Sequence, residues 1–229
     1  QIKIHIPFDA AMWSCGIAQE HAPHTHKAHV HNLPHSLYEE LFCLSDYEVL
    51  RQQILRQAKN EVVCNSVMFH LEADSPLKRC NIEYVLCTLI LDPLTRLITT
   101  VAVCRLGNWP FSREEQELSQ ALMPHVVDIY DNSRLEYLMR QREADSRIYA
   151  PALVDEEGML HVTDKRFPQL LLEEWPAWSG PFLPQELKQW LNGESLVSYT
   201  GHTLVAHAML TDDQLLLRAR KKHPYDSLG

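Results

Sequence analysis

The longest run of regularly spaced apolar positions lies between Ser112 and about Arg147 and predicts one long helix. Ser112 and Glu115 have the spacing of a capping box, in which each side chain bonds the backbone amide of the other residue. Pro124 lacks an amide hydrogen, so we expect a bend at this position and not a break. The apolar residues that recur at helical spacing are Leu118, Leu122, Val126 and Ile129.

This predicted helix separates a larger first block of the chain from a smaller second block. A continuous helix of this length would span on the order of 50 Å at a rise of 1.5 Å per residue. That is long for a small domain. We therefore expect the helix to join two domains or to pair with a second copy of itself.

The first block alternates between β-rich runs and helical segments. Strands are predicted at 8–18, in a histidine-rich stretch that ends at Leu33-Pro34, and at 66–71, 84–91 and 97–105. Asp92-Pro93 lies between the last two runs and predicts a hairpin turn. Helical segments are predicted at 35–44, 46–57 and 76–80. The block should therefore form an antiparallel sheet of about five strands with helices packed on it.

The second block begins after Tyr149 with two short β runs around an acidic turn. Short helices are predicted at 165–174 and 184–191, and three strands at 196–199, 203–209 and 214–219. The predicted fold class of the whole chain is therefore α+β. A basic cluster formed by Arg218, Arg220, Lys221 and Lys222 is expected at the solvated end of the last strand.

Composition and charge narrow the classes of function. The chain has 229 residues, of which 45% are hydrophobic, and this is enough for one large domain or two ordinary ones. Its net charge is -9 and it has no long run of lysine or arginine, which argues against binding to a nucleic-acid backbone. We therefore expect small molecules or proteins as partners.

Cysteine usage and missing motifs point to a cytoplasmic protein that is not an enzyme. The six cysteines form no CxxC pair, and we expect buried thiols in a reducing compartment. We find neither a membrane-spanning run nor a signal-peptide pattern at the start. The sequence contains no GxSxG, no HExxH and no glycine-rich phosphate loop, so we predict no catalytic residues.

Histidines are concentrated between residues 21 and 35, so metal or haem binding is an alternative. In a strand, His29 and His31 would share one face, and His24 and His26 would form a second such pair. A zinc site needs three or four ligands, and a haem needs a well-placed axial ligand. We expect ordinary strand and loop histidines and predict no metal and no cofactor.

Several sequence motifs occur in a fixed order: IPFDAAMWSCG near the start, ALMPHVV in the long helix and EEWPAWSGPFLP in the second block. Together they resemble the sensory portion of LuxR-type bacterial transcription regulators, over nearly the whole chain. The resemblance implies a GAF-like sensor domain at 1–111, a linking and dimerisation helix at 112–148 and a PAS-like domain at 149–223. Two strands, short helices and three strands are the element order of a PAS-type module. Residues 224–229 would begin a linker to a helix-turn-helix DNA-binding domain, so DNA would be bound only by that further domain.

The resemblance also implies a pocket between the first sheet and the helices that cover it. An apolar wall with a few polar groups suits a small hydrophobic effector. The candidate ligand-binding residues are Trp13, His29, Tyr38, Tyr47, Phe69 and Cys87, with ordinary core packing as the alternative for each. We expect a homodimer in which effector binding shifts the long helix. The other possibility is a structural dimerisation scaffold whose pocket is filled by its own side chains.

Overall fold

A computed structural model of the chain divides into two compact units, Gln1–Val127 and Asp128–Gly229. It describes residues 2–17, 24–37, 41, 45–57, 63–71, 75–141, 148–188, 197–210 and 215–227. None of the helices described there is both long enough and apolar enough to cross a membrane. The division falls inside the long helix; the domain boundaries predicted at 111, 148 and 223 stay predictions.

The first unit is built on one antiparallel sheet of five strands, as predicted from the sequence. The strands are β1 (Ala10–Ile17), β2 (His24–His31), β3 (Val63–His70), β4 (Tyr84–Leu91) and β5 (Leu97–Arg105). Their order is β2-β1-β5-β4-β3, so β5 is central and β2 and β3 form the edges. The predicted hairpin is confirmed, because β4 and β5 pair along their whole length.

Helices and 3-10 turns accompany this sheet in the described part of the first unit. They include the helices α1 (Ile2–His5), α2 (Ser45–Gln57) and α3 (Arg113–Gln141) and the turns His35–Leu37 and Pro76–Cys80. The helix predicted at 46–57 and the turn at 76–80 are confirmed. The segment predicted as a helix at 35–44 begins with a 3-10 turn, and most of its remainder lies outside the described residues.

The two faces of the first sheet carry different helices. Alternate side chains of a strand point to opposite faces. On one face, Leu50 of α2 lies in the same buried core as Val85 of β4. On the other face, Met123 of α3 packs with Ile90 of β4. The sheet therefore separates an α2 face from an α3 face.

The capping box at the start of α3 is confirmed. The amide of Ser112 donates to Glu115 Oε2 at 2.8 Å, and the amide of Glu115 donates to Ser112 Oγ at 3.1 Å. The helix does not break at Pro124 and continues to Gln141. Its first half belongs to the first unit and its second half to the second unit.

The second unit contains a second antiparallel sheet with the same strand arrangement. Its described strands and α-helices are β6 (Ala150–Val154), β7 (Leu160–Thr163), α4 (Arg166–Glu174), α5 (Gln185–Lys188), β8 (Val197–Thr200), β9 (Leu204–Leu210) and β10 (Leu215–Lys221). The order β7-β6-β10-β9-β8 repeats the order of the first sheet. Leu135 and Met139 of α3 pack with Leu153 and Leu216 of this sheet. The chain is therefore α+β, with two five-stranded sheets and one long helix.

Glu174 attaches the end of α4 to the turn between β8 and β9. Its carboxylate accepts hydrogen bonds from the amides of His202 and Thr203 at 2.8 and 2.6 Å and from the Tyr199 hydroxyl at 3.1 Å. Partial burial acts to raise the pKa of Glu174, but these hydrogen bonds outweigh it and lower the pKa to about 2. At neutral pH the carboxylate is therefore charged and holds α4 in place on the sheet.

Candidate functional site

The α2 face of the first sheet brings together three of the residues predicted to bind ligand. Tyr47, Phe69 and Cys87 belong to one apolar core and are 1%, 2% and 0% exposed. The Tyr47 hydroxyl lies 3.1 Å from the Thr100 hydroxyl on β5, which places a buried polar pair in this core. Burial raises the pKa of Tyr47, so its hydroxyl keeps its proton.

Arg51 is a further polar side chain on this face, and the sequence analysis missed it. It lies one turn after Tyr47 and is 1% exposed. Its Nε and Nη2 atoms donate to the two carboxylate oxygens of Glu48 at 2.8 and 2.6 Å. The hydrogen bond from Arg51 lowers the pKa of Glu48 and keeps that carboxylate charged. Helical spacing could have located Arg51, because the buried positions of α2 are Tyr47, Leu50, Arg51 and Ile54.

The buried cysteines of this face act as apolar groups. Burial raises the pKa of Cys87, and it raises the pKa of Cys104 to about 12. Both side chains therefore stay as thiols at neutral pH, which removes the nucleophilic and metal-binding character of a thiolate. Cys87 therefore contributes an apolar side chain to the wall of the core.

Two other predicted residues, Trp13 and His29, lie on the opposite face. They are paired across β1 and β2, and Trp13 packs against the apolar cluster that contains Met123 and Val127 of α3. His29 is exposed. Tyr38 lies outside the described residues. The structure thus places Tyr47, Phe69 and Cys87 together and leaves Trp13 and His29 on the other face. The binding roles of all these residues stay predictions.

Two glutamines of α3 hold the helix to the edge strand β3. Gln120 Oε1 accepts a hydrogen bond from the amide of Ser66 at 3.3 Å, and Gln116 Nε2 donates to the carbonyl of Ser66 at 2.6 Å. Their side chains bond the backbone of this edge strand much as a further strand would. The position of α3 is therefore tied to the backbone of the sheet.

A chain of three buried hydroxyls links the same two elements. Ser66 Oγ lies 2.7 Å from Thr88 Oγ1, which lies 2.9 Å from Ser119 Oγ of α3. These residues are 1%, 0% and 1% exposed. Removal of the central hydroxyl would leave buried groups without a hydrogen bond, which is costly. Thr88 therefore couples β4 to the helix.

The structure also accounts for the continuity of α3 at Pro124. Proline has no amide hydrogen for the carbonyl of Gln120, four residues earlier. The thiol of Cys64 on β3 donates to that carbonyl at 3.4 Å. Burial raises the pKa of Cys64 to about 11, so the thiol keeps the proton that it donates. A side chain of the sheet thus replaces the missing helix bond.

Arg105 fixes the place where α3 begins. It is the last residue of β5 and is 2% exposed. Its guanidinium donates to the backbone carbonyls of Pro7 and Pro110 at 2.9 and 2.8 Å, and also to the carboxylate of Glu115. A buried charge is tolerated when it is paired and its donors are used. These bonds join the start of the chain, the end of β5 and the first turn of α3.

Aromatic rings complete the surroundings of this guanidinium. The rings of Trp109 and Phe111 each lie 3.9 Å from its central carbon, a cation–π geometry. Partial burial acts to raise the pKa of Glu115, but the hydrogen bonds from Arg105 and Ser112 outweigh it and lower the pKa. Glu115 therefore serves both the capping box and the buried ion pair.

The α2 face is the candidate functional site, since it combines an apolar wall with buried polar groups. A hydroxyl pair and a guanidinium can orient one polar group of a small molecule, while the wall accepts its apolar part. Among the described residues, no group of three histidine, cysteine, aspartate or glutamate side chains could hold a metal ion.

Of the comparisons with known proteins, only the one with solved structures gave matches. No protein-family model matches the chain, and no curated protein matches it in sequence. The chain is similar to a solved structure described as "Crystal Structure of the E.coli DhaR(N)-DhaL complex", with 15% identity and a TM-score of 0.29. The match covers 95% of this chain and 80% of that chain. A TM-score of this size supports no inference about function.

We predict that Arg105→Lys destabilises the first unit by about 2 kcal/mol, because a lysine cannot replace the forked donors of a guanidinium. Arg113→Lys is the matched control, since the Arg113–Glu117 pair is exposed and contributes little. Amide hydrogen exchange of α3 between residues 113 and 127 measures the effect. Equal protection in the two variants would contradict the role given to Arg105.

Proposed function

We propose that this chain is the ligand-sensing and dimerisation region of a LuxR-type transcription regulator, with a small effector bound in its GAF-like first unit. The motifs of the sequence support this proposal. So does the order of two strands, helices and three strands in the second unit, which is that of a PAS-type module. In this proposal DNA is bound by a separate helix-turn-helix domain and not by the residues described, and the protein acts in the cytoplasm.

The buried polar groups of the α2 face are the observation that carries the proposal. A core that serves packing alone is usually apolar, because a buried polar group gains little and must be fully bonded. Here the Tyr47–Thr100 hydroxyl pair lies in this core, and Arg51, one turn after Tyr47 on α2, is 1% exposed. An effector with an apolar body and one hydrogen-bonding group suits these side chains.

Strand β4 offers a route from the effector to α3. Cys87 faces the α2 side, whereas the next residue, Thr88, faces α3 and bonds Ser119. A displacement of β4 by the effector would therefore alter the contacts of the helix. Such a relay requires that the effector bind the two arrangements with different affinities.

A structural scaffold is the second candidate, and a specific observation favours it. Tyr47, Phe69 and Cys87 are 1%, 2% and 0% exposed, so these side chains are themselves well covered by protein. A pocket that is filled by its own side chains would give dimerisation without sensing. The two candidates differ in whether the protein carries a ligand.

Dimerisation is assigned to the second half of α3. Ile129 and Tyr137 on this helix are 67% and 62% exposed, and Tyr130 is 49% exposed. Tyr130 and Tyr137 are seven residues apart and therefore share one side of the helix, and Ile129, about 100° from Tyr130, lies at the edge of that side. Exposed apolar side chains grouped in this way suit a helix that pairs with its copy.

We predict that native mass spectrometry of the freshly purified chain shows a dimer with a small molecule bound. Tyr47→Phe should reduce the bound fraction, because it removes the hydroxyl that can orient the ligand. Tyr84→Phe is the control, since the Tyr84 hydroxyl bonds the exposed Asn108 and is remote from the α2 face. A dimer without added mass would contradict sensing and favour the scaffold.

We further predict that Ile129→Asp converts the dimer to a monomer, because the substitution buries a charge in the paired helices. Ile4→Asp is the control, as Ile4 is 76% exposed and lies on α1. Light scattering coupled to gel filtration gives the molecular mass of each variant. If Ile129→Asp stays dimeric, the copies do not pair through this part of α3.

A further inference from the structure

The second unit contains a groove that the proposed function does not use. It lies between one side of α4 and the end of β10 and has a volume of about 480 Å³, which is in the range of small-molecule sites. Four basic side chains line it, namely Arg166, Arg220, Lys221 and Lys222. The basic cluster expected at a solvated strand end thus contributes three residues to a cavity.

The charge of this groove is opposite to that of the chain. The chain carries a net charge of -9. Three carboxylates are paired with the four basic side chains of the groove, which leaves an excess of one positive charge. A concave site with an excess of one sign concentrates ligands of the other sign. The groove therefore favours an anion.

Part of the lining of the groove is apolar, and we call its four residues the floor: Ile148, Ala150, Leu170 and Ala219. Ile148 is 57% exposed, so a large apolar side chain at this groove is not covered by the protein itself. A fully hydrated ion such as inorganic phosphate would gain nothing from this floor, whereas the hydrocarbon part of an organic acid would be removed from water.

Three of the four basic groups already have fixed structural roles. Arg166 is bonded to Asp164 at 2.9 and 3.0 Å, and Arg220 is bonded to Asp226 at 2.7 Å by each of two nitrogens. Lys222 Nζ donates to the backbone carbonyl of Gly201 at 2.8 Å. The two arginines shape the groove while the aspartates offset their charge, and Lys222, which is bonded to a neutral carbonyl, supplies the positive charge in excess.

Lys221 is the group whose partner can be exchanged. Its Nζ lies 3.0 Å from Glu173 Oε1, and the two side chains are 70% and 44% exposed. Exposed ion pairs of this kind contribute little to stability. A ligand carboxylate could therefore replace Glu173 at small cost, while Glu173 would move into solvent.

We infer that this groove binds a small amphipathic organic acid, with its apolar body on the floor and its carboxylate on Lys221. This site is separate from the effector site proposed in the first unit, and either can exist without the other. The ligand is recognised through hydrocarbon contact and one negative charge, so a medium-chain carboxylate has the required chemistry.

Isothermal titration calorimetry of the full chain with octanoate tests this site. Lys221→Gln should weaken octanoate binding about three- to tenfold, the range expected for one partly exposed ionic contact. Glu173→Gln should strengthen binding, because it removes the competing carboxylate. Lys165→Gln is the control, since Lys165 is 86% exposed, forms a similar pair with Asp128 and does not line the groove.

Inorganic phosphate and octanol separate the two parts of the proposal. Binding of octanoate well above that of either compound, with the expected order of variants, would support an amphipathic acid. Equal binding of phosphate would overturn the role of the floor, and equal binding of octanol would overturn the role of Lys221. Absence of octanoate binding, or equal affinity in the Lys221 and Lys165 variants, would overturn the site itself.

Discussion

A single buried guanidinium determines how the first unit is joined to the long helix. Arg105 is the last residue of β5, and its guanidinium donates hydrogen bonds to two backbone carbonyls and to Glu115 in the first turn of α3. A buried charge without these partners would be strongly destabilising, so these bonds favour the observed connection. Farther along, α3 contacts the same sheet through Gln116 and Ser119.

The two faces of the sheet in the first unit make different kinds of contact. On its α2 face lies an apolar core with the Tyr47–Thr100 pair. On its α3 face, Thr88 and Ser119 bond each other. Adjacent residues of β4 point to opposite faces of the sheet, so a small movement of this strand changes side-chain contacts on both faces. This arrangement suits a relay between an effector and a helix, which is the role we propose.

Local patterns predicted the elements well, because they depend on near neighbours. The apolar runs at 84–91 and 97–105 became β4 and β5, and the Ser112–Glu115 capping box formed as its spacing indicates. The candidate site was harder to predict. Alternation along β1 places Trp13 on one face but does not say which helix covers that face.

Contacts between distant residues explain the remaining differences. Tyr47 and Thr100 meet only because α2 packs on the sheet, and no local pattern encodes that pairing. Arg51 was overlooked because arginine is usually exposed, and only its place on the inner side of α2 buries it. The thiol that bonds the carbonyl before Pro124 likewise comes from a strand far away in sequence.

Hydrogen exchange of α3 with and without the ligand that we predict to co-purify tests the central claim most directly. The wild-type chain should show changed protection between residues 113 and 127 when the ligand is removed. In Thr88→Val, which keeps the shape but lacks the hydroxyl, ligand removal should leave α3 unchanged while the α2 face still responds. Identical exchange of wild-type α3 in the two states would contradict a relay through this sheet.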